Sequence, residues 1–346
     1  MLGGLSGGLI IDGLLEDNYP SLVGVRERVM LLKDIRLPGD SSGTPKTKTM
    51  NGQLNPTIPI APGEVQFWRI GNVGADSYMN LSLSGVPFYI LAIDGNLTGC
   101  VTLSRWSPGV CPVPATQYLL PPSSRVEVAV IGPPAGTYAL MSQYVNTGPA
   151  GDSNPPVTLA TVSSSSSSRV PQPQMAAARA TLTKRSFTKA TNVHPTPAAL
   201  SRAVITKRIT LVYTENTAGT EFFINGKQFD PSRVDTDVNV GDIVEFTIVN
   251  QTAELHTFHI HQTDFFVTQI NGQPANSVSL QDNVNVPFMA AGIPGVVKVI
   301  VPFLDPVAIG KFVYHCHILE HEDGGMMATI RLSASNERTT QVRRRR

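Results

Sequence analysis

The sequence predicts an all-β fold made of two copies of one β-sandwich joined by a long Ser/Pro/Ala-rich linker. Three observations carry that expectation. Gly, Pro, Asn and Asp break up short β-branched and aromatic runs at close intervals, the spacing of a sandwich or barrel. No long stretch carries the 3.6-residue apolar periodicity of an amphipathic helix. The second half also repeats the first. Asn51-Gly52 and Asn225-Gly226 each open a segment ending in an apolar run, Val65-Gln66-Phe67-Trp68-Arg69-Ile70 in one half and Ile243-Val244-Glu245-Phe246-Thr247-Ile248 in the other. Residues 88–95 echo 265–272, and residues 136–143 align with 310–317.

Taken in order, residues 1–147 form the first predicted domain. Its strands run through Val65 to Ile70, Phe88 to Leu91 and Val126 to Val130. Residues 148–203 differ in composition, with six consecutive serines at 163–168, several prolines and an Ala-rich patch at 175–180. Such a segment buries too little apolar surface to fold alone and reads as a linker. Residues 204–334 form the second domain, with strands through Ile209 to Tyr213, Ile243 to Val249 and Val297 to Val301. Residues 335–346 form a basic tail ending in four arginines.

The charge balance narrows the partners. The chain has 346 residues, 27 basic and 26 acidic, a net charge of +1. That balance gives no reason to expect nucleic acid or a membrane surface. No apolar run approaches the roughly 18 residues of a membrane span. The first residues lack a basic stretch and a cleavage site, so no signal peptide is visible and localisation is left unassigned. Of three cysteines, Cys100 and Cys111 are close enough to close a short loop or to remain two free thiols.

The third cysteine is different. Tyr314-His315-Cys316-His317-Ile318-Leu319-Glu320-His321-Glu322 follows an apolar run and continues to Met326. The run reads as a buried strand leaving into a loop or short helix. Alternate side chains of a strand point to opposite faces, so Cys316 looks one way and His315 and His317 the other. A lone cysteine in a strand is usually a small buried hydrophobe, but three of the chain's seven histidines crowd this one. The second cluster, His256-Thr257-Phe258-His259-Ile260-His261, has the same parity, with His259 and His261 on one face and His256 on the other. Two donor sets follow. His256, Cys316, His321 and a weak axial Met326 are the ligand types of a blue-copper centre. His259, His261, His315 and His317 form an all-imidazole set. Soft sulfur favours copper over zinc. The aligned first copy has Met141, Ser142 and Gln143 in place of the His-Cys-His run, and Ser82 and Ser84 in place of His259 and His261. The histidines are therefore not required for packing.

His-x-x-His-x-His followed by His-Cys-His-x-x-x-His and a later Met resembles the C-terminal signature of the multicopper oxidases, the laccase-like enzymes. The run from His315 to Met327 is especially similar to bacterial laccases of the spore-coat and thermophile type. The resemblance covers nearly the whole chain and implies two cupredoxin-like Greek-key β-sandwich domains. The first resembles the family's copper-free middle domain. It implies His256, Cys316, His321 and Met326 at a type 1 copper, His259 at a type 2 copper, and His261, His315 and His317 at a type 3 pair. Up to four coppers bind in such enzymes, the type 1 copper being the most secure here. Glu322 matches a position that assists proton delivery to dioxygen in such laccases, or it is a solvated loop carboxylate. The implied activity is one-electron oxidation of phenols, aromatic amines or metal ions coupled to reduction of O2 to water. The alternative is a single blue-copper electron-transfer or copper-binding protein. Family members are typically periplasmic, extracellular or in the spore coat. The family's two further His-x-His motifs are not in this sequence, and residues 2–11 resemble the strand that follows them. The resemblance thus implies a missing N-terminal domain, or another subunit, as the source of the remaining ligands.

Overall fold

A computed structural model describes residues 6–37, 39–40, 44–102, 105–165, 172–184 and 197–335. Two β-sandwiches share one strand plan. The smaller sheet of the first domain runs Gln117–Leu120, Met79–Leu83, Gly136–Gln143, Val157–Ser164, Thr57–Ile60. That of the second runs Asn283–Val286, His256–Ile260, Gly310–Cys316, Met327–Ser333, Thr236–Asn239, the same order strand for strand. The larger sheets correspond too, with Arg26–Ile35 parallel to Val65–Asn72 in one and Lys207–Glu215 parallel to Asp242–Asn250 in the other. Each Asn-Gly turn solves the same problem. Asn51 and Asn225 take positive φ, and their side-chain oxygens accept the backbone N–H of Leu31 and Val212.

The alternation seen in the sequence sets the cores. Asp242–Asn250 buries every second residue, Val244, Phe246 and Ile248 pointing inward. These pack with Phe258, Phe265, Val299 and Tyr314 as one apolar cluster that also takes in Cys316 and Met326. The sulfur side of the His-Cys-His run thus faces the sandwich interior, and the pleat turns the flanking histidines outward.

Residues 148–203 are not a uniform linker. Val157–Ser164 is the strand of the first domain that corresponds to Met327–Ser333 of the second. It pairs with Gly136–Gln143 on one side and Thr57–Ile60 on the other. Leu159, Ala160 and Val162 supply its buried face, and the first two residues of the serine run complete its pairing. The Ala-rich patch is a helix, Gln172–Lys184. It packs Met175, Ala178 and Leu182 against Tyr19, Phe67 and Leu91. Small alanines bring the helix close to the sheet, so a segment too polar to fold alone folds onto a neighbour. His194 and the arginine tail lie outside the described residues. Cys111 is disulfide-bonded, which removes the free-thiol alternative for it, and Cys316 is a buried free thiol.

The register repeats as well. His259 pairs with His315 across two strands of the second domain, and Ser82 pairs with Met141 across the matching strands of the first. Ser142 therefore stands where Cys316 stands. Its hydroxyl lies 3.3 Å from the buried Nζ of Lys48, which also bonds to Asn154 and to the carbonyl of Tyr78. An internal ammonium occupies the place where the second domain gathers a thiol and two imidazoles. Burial lowers the Lys48 pKa to about 8, with Asp34 opposing.

A folded pKa below the unfolded value means that the unfolded chain binds more protons between the two, so stability rises with pH there. The unfolding free energy of the wild type minus that of Lys48→Met should grow by about 3 kcal/mol from pH 8 to pH 10.5. Denaturant titrations across that range measure it, and a flat difference would show an unshifted lysine.

Candidate metal centre

Two groups of donors converge among the described residues. One is His256, Cys316 and His321, all buried; the other is His259, His261 and His315. In the first, the Cys316 sulfur lies 3.6 Å from Nδ1 of each histidine, and the two Nδ1 atoms are 2.9 Å apart. Ligands about 2.0–2.3 Å from one shared ion would be spaced similarly.

The outer nitrogens explain why these atoms face one another. His321 Nε2 lies 3.2 Å from the Glu254 carboxylate, which only accepts. His256 Nε2 lies 2.8 Å from the Thr252 hydroxyl, and that hydroxyl already donates to Asn250. Both Nε2 atoms therefore carry the hydrogen, and both Nδ1 lone pairs point inward at a sulfur. Three electron-rich atoms in a dry interior need a cation. A proton answers the same demand. Burial would depress both imidazoles, and the coulombic effect of His321 deepens this for His256, pushing it well below the usual range. Cys316 and Glu254 outweigh burial at His321 and lift it to about 10. The residues fit a bound cation, and the sulfur selects a soft one.

Packing fixes the rings. Phe222 stacks on His321 with centroids 4.2 Å apart, and Tyr213 meets His256 edge-on at 5.6 Å. The backbone N–H of Thr257 donates to the Cys316 sulfur at 3.4 Å. Met326 is fully buried, and its carbonyl accepts the Cys316 N–H at 3.0 Å. The short helix Leu319–Asp323 carries His321 back over the end of the sandwich.

On the opposite face, the His259–His315 cross-strand pair sets two rings 5.3 Å apart, edge to face. His259 Nδ1 donates to the Asp282 carbonyl at 2.7 Å. His315 Nδ1 lies 3.0 Å from the Cys316 carbonyl and 3.1 Å from Glu322. The Nε2 atoms of His261 and His315 approach to 3.2 Å. The His317 ring packs beside His259 and His315, but its nitrogens are not among the three that converge. Burial, reinforced by the neighbouring histidines, lowers His261 and His317 to about 4, so both are neutral donors at neutral pH. Glu322 lies on the short helix Leu319–Asp323. It is held against His315 with 22% of its side chain exposed, and although burial opposes it, that contact keeps its pKa below the usual range.

The sequence motifs missed several supporting residues. Thr252, Glu254, Phe222 and Asp282 orient the donor histidines from positions that carry no signature. Arg125 of the first domain grips Asp282 with two hydrogen bonds, of 2.9 and 2.7 Å. Tyr78, also of the first domain, bonds to the His256 carbonyl and the Thr257 hydroxyl. The first domain thus braces both donor sets.

The fold and donor sets define a two-domain cupredoxin-type β protein with a sulfur-and-imidazole centre. Residues 203–335 match the family model described as Multicopper oxidase, so this part of the chain is similar to that family. It is 25% identical over 346 aligned residues to the multicopper oxidase mco of Staphylococcus aureus, spanning 95% of this chain and 64% of the relative. It is 24% identical to a laccase of Bacillus subtilis over 82% of this chain and 53% of that protein. The chain thus spans about half to two thirds of the length of these relatives. Among solved structures, a variant of McoA from Aquifex aeolicus superposes with a TM-score of 0.70 at 20% identity, covering 94% of this chain and 70% of that one. A multicopper oxidase from Campylobacter jejuni does so with a TM-score of 0.67 at 23% identity, covering 90% and 65%. These likenesses show the shared fold.

Glu254→Leu and Thr252→Val each free a ligand imidazole to rotate or to protonate at Nδ1. Each should weaken copper binding at the Cys316 centre about 10- to 100-fold with the fold intact, as read by chelator competition alongside circular dichroism.

Proposed function

We propose that the chain serves a laccase-like multicopper oxidase reaction. His256, Cys316, His321 and Met326 would hold a type 1 copper suited to one-electron oxidation of small reductants. His259 would serve a type 2 copper, and His261, His315 and His317 a type 3 pair, as part of a cluster suited to reducing dioxygen to water. The observation that carries this reading is the convergence of two imidazole nitrogens and one thiol in a buried, pre-oriented set. Copper, when bound, supplies the one-electron chemistry and the binding of dioxygen.

The chain's own residues supply the rest. His321 lines an interdomain cavity and so presents the buried centre to a small molecule. Cys316 places its sulfur in one donor set while its neighbours His315 and His317 belong to the other, so a few covalent bonds join the two. Thr252 and Glu254 hold the protons of the first set on the outer nitrogens. Glu322, against His315, is the acid–base group nearest the second set. The apolar cluster around Cys316 and Met326 excludes water from the first.

A second reading, a blue-copper electron-transfer protein without oxidase activity, is favoured by one observation: the donor atoms of His256, Cys316 and His321 converge by themselves, apart from the His259, His261 and His315 set. Copper content and oxygen consumption separate the two. About four coppers with sustained oxygen uptake support the oxidase, and one copper with a strong blue band and no uptake supports electron transfer alone.

Two substitutions test the centre itself. Cys316→Ser should abolish the blue band, because a hydroxyl cannot act as the soft anionic ligand. Met326→Leu should keep the band and raise the reduction potential, since a weak axial donor is lost. A lowered potential in a redox titration would remove Met326 from the ligand set.

A further inference from the structure

Accepting His321 as the point of electron entry, the cavity above it has a chemistry of its own. It holds about 650 Å³ between the two domains, a size suited to an organic molecule. Phe222, stacked on His321, and Tyr78 give it aromatic walls. Five carboxyl groups line it: Asp76 and Asp152 from the first domain, and Glu215, Glu254 and Glu320 from the second. Among the described residues, the ammonium bonded to this rim, Lys46, does not line the cavity. It is buried, bonded to Asp76 and Asp152, and 3.6 Å from Glu320. Even so, Asp76 is not fully satisfied. Its side chain is 4% exposed, and Oδ1 is buried without a hydrogen-bond partner.

We propose that this cavity selects cationic aromatic reductants, oxidisable rings that carry a protonated alkylamine side chain, over neutral and anionic ones. The ammonium group meets the carboxyl rim while the ring lies along Phe222 and the edge of His321. Low-dielectric walls bearing one sign of charge focus that field and raise the local concentration of cations. A metal-ion reductant fits less well. Among the described residues, the only sets of three or more His, Cys, Asp or Glu donors within reach of one ion are the two histidine sets, so the rim carboxylates do not close on a single ion. The lining also offers no methionine or cysteine sulfur for a soft ion.

The direct test titrates the full chain, free of copper, with redox-inert phenyltrimethylammonium and with benzenesulfonate, following ring resonances by NMR. The cation should bind at least about tenfold more tightly than the anion, with a preference that shrinks as salt is raised. The triple variant Asp152→Asn, Glu215→Gln, Glu320→Gln should lose most of that preference. Equal binding of the two ions, or a preference the triple variant retains, would overturn the proposal. So would displacement of the aryl cation by equimolar Mn²⁺, which would mark a metal site instead. Copper loading of the same samples reads the underlying function separately. A missing blue band would count against the copper centre and leave the binding comparison intact.

Discussion

The site depends on where two hydrogen atoms sit. Glu254 and Thr252 hold the Nε2 hydrogens of His321 and His256, which turns both Nδ1 atoms toward the Cys316 sulfur, where a bound cation or a proton on His321 answers them. Everything around this arrangement protects it. Phe222 and Tyr213 fix the rings, the sandwich core excludes water, and Tyr78 of the neighbouring domain ties down the backbone of His256. Without the outer acceptors, either imidazole could turn a hydrogen inward and the set would no longer demand a cation.

The two domains solve one packing problem in two ways. At the same point of the same strand plan, the second domain gathers a thiol and two imidazoles, whereas the first places Ser142 against the buried amino group of Lys48. Gln143 and Ser82, which align with His317 and His259, bond to each other at 2.7 Å. The fold accepts either a metal-ligand set or a closed hydrogen-bond network at this position. The first domain has become a brace, through Arg125 on Asp282 and Tyr78 on His256, and it supplies part of the cavity above His321.

Much of this was legible in the sequence, and the physical reason is periodicity. A period of two assigns His256 and Cys316 to one face and His259, His261, His315 and His317 to the other; the structure gathers His256 with Cys316 and His259 with His261 and His315, and sets the His317 ring beside them. The repeat was legible because the Asn-Gly turns and alternating apolar runs recur at matching intervals. The strand Val157–Ser164 was hidden because serines form part of it, and composition then suggests disorder although Leu159, Ala160 and Val162 face the core. The helix Gln172–Lys184 was hidden because alanine packing depends on a partner surface that composition does not describe. Glu254, Asp282 and Phe222 act through tertiary contact, with no spacing rule to announce them. The whole acidic cavity is built from residues far apart in the chain.

The central claim is that the Cys316 side is a pre-oriented soft-metal centre. X-ray absorption at the copper edge, on the chain loaded with one equivalent of copper, tests it most directly. The structure predicts one short copper–sulfur contact and two imidazole nitrogens. A first shell of imidazole nitrogens without sulfur would place the copper on the His259, His261 and His315 side and contradict the account.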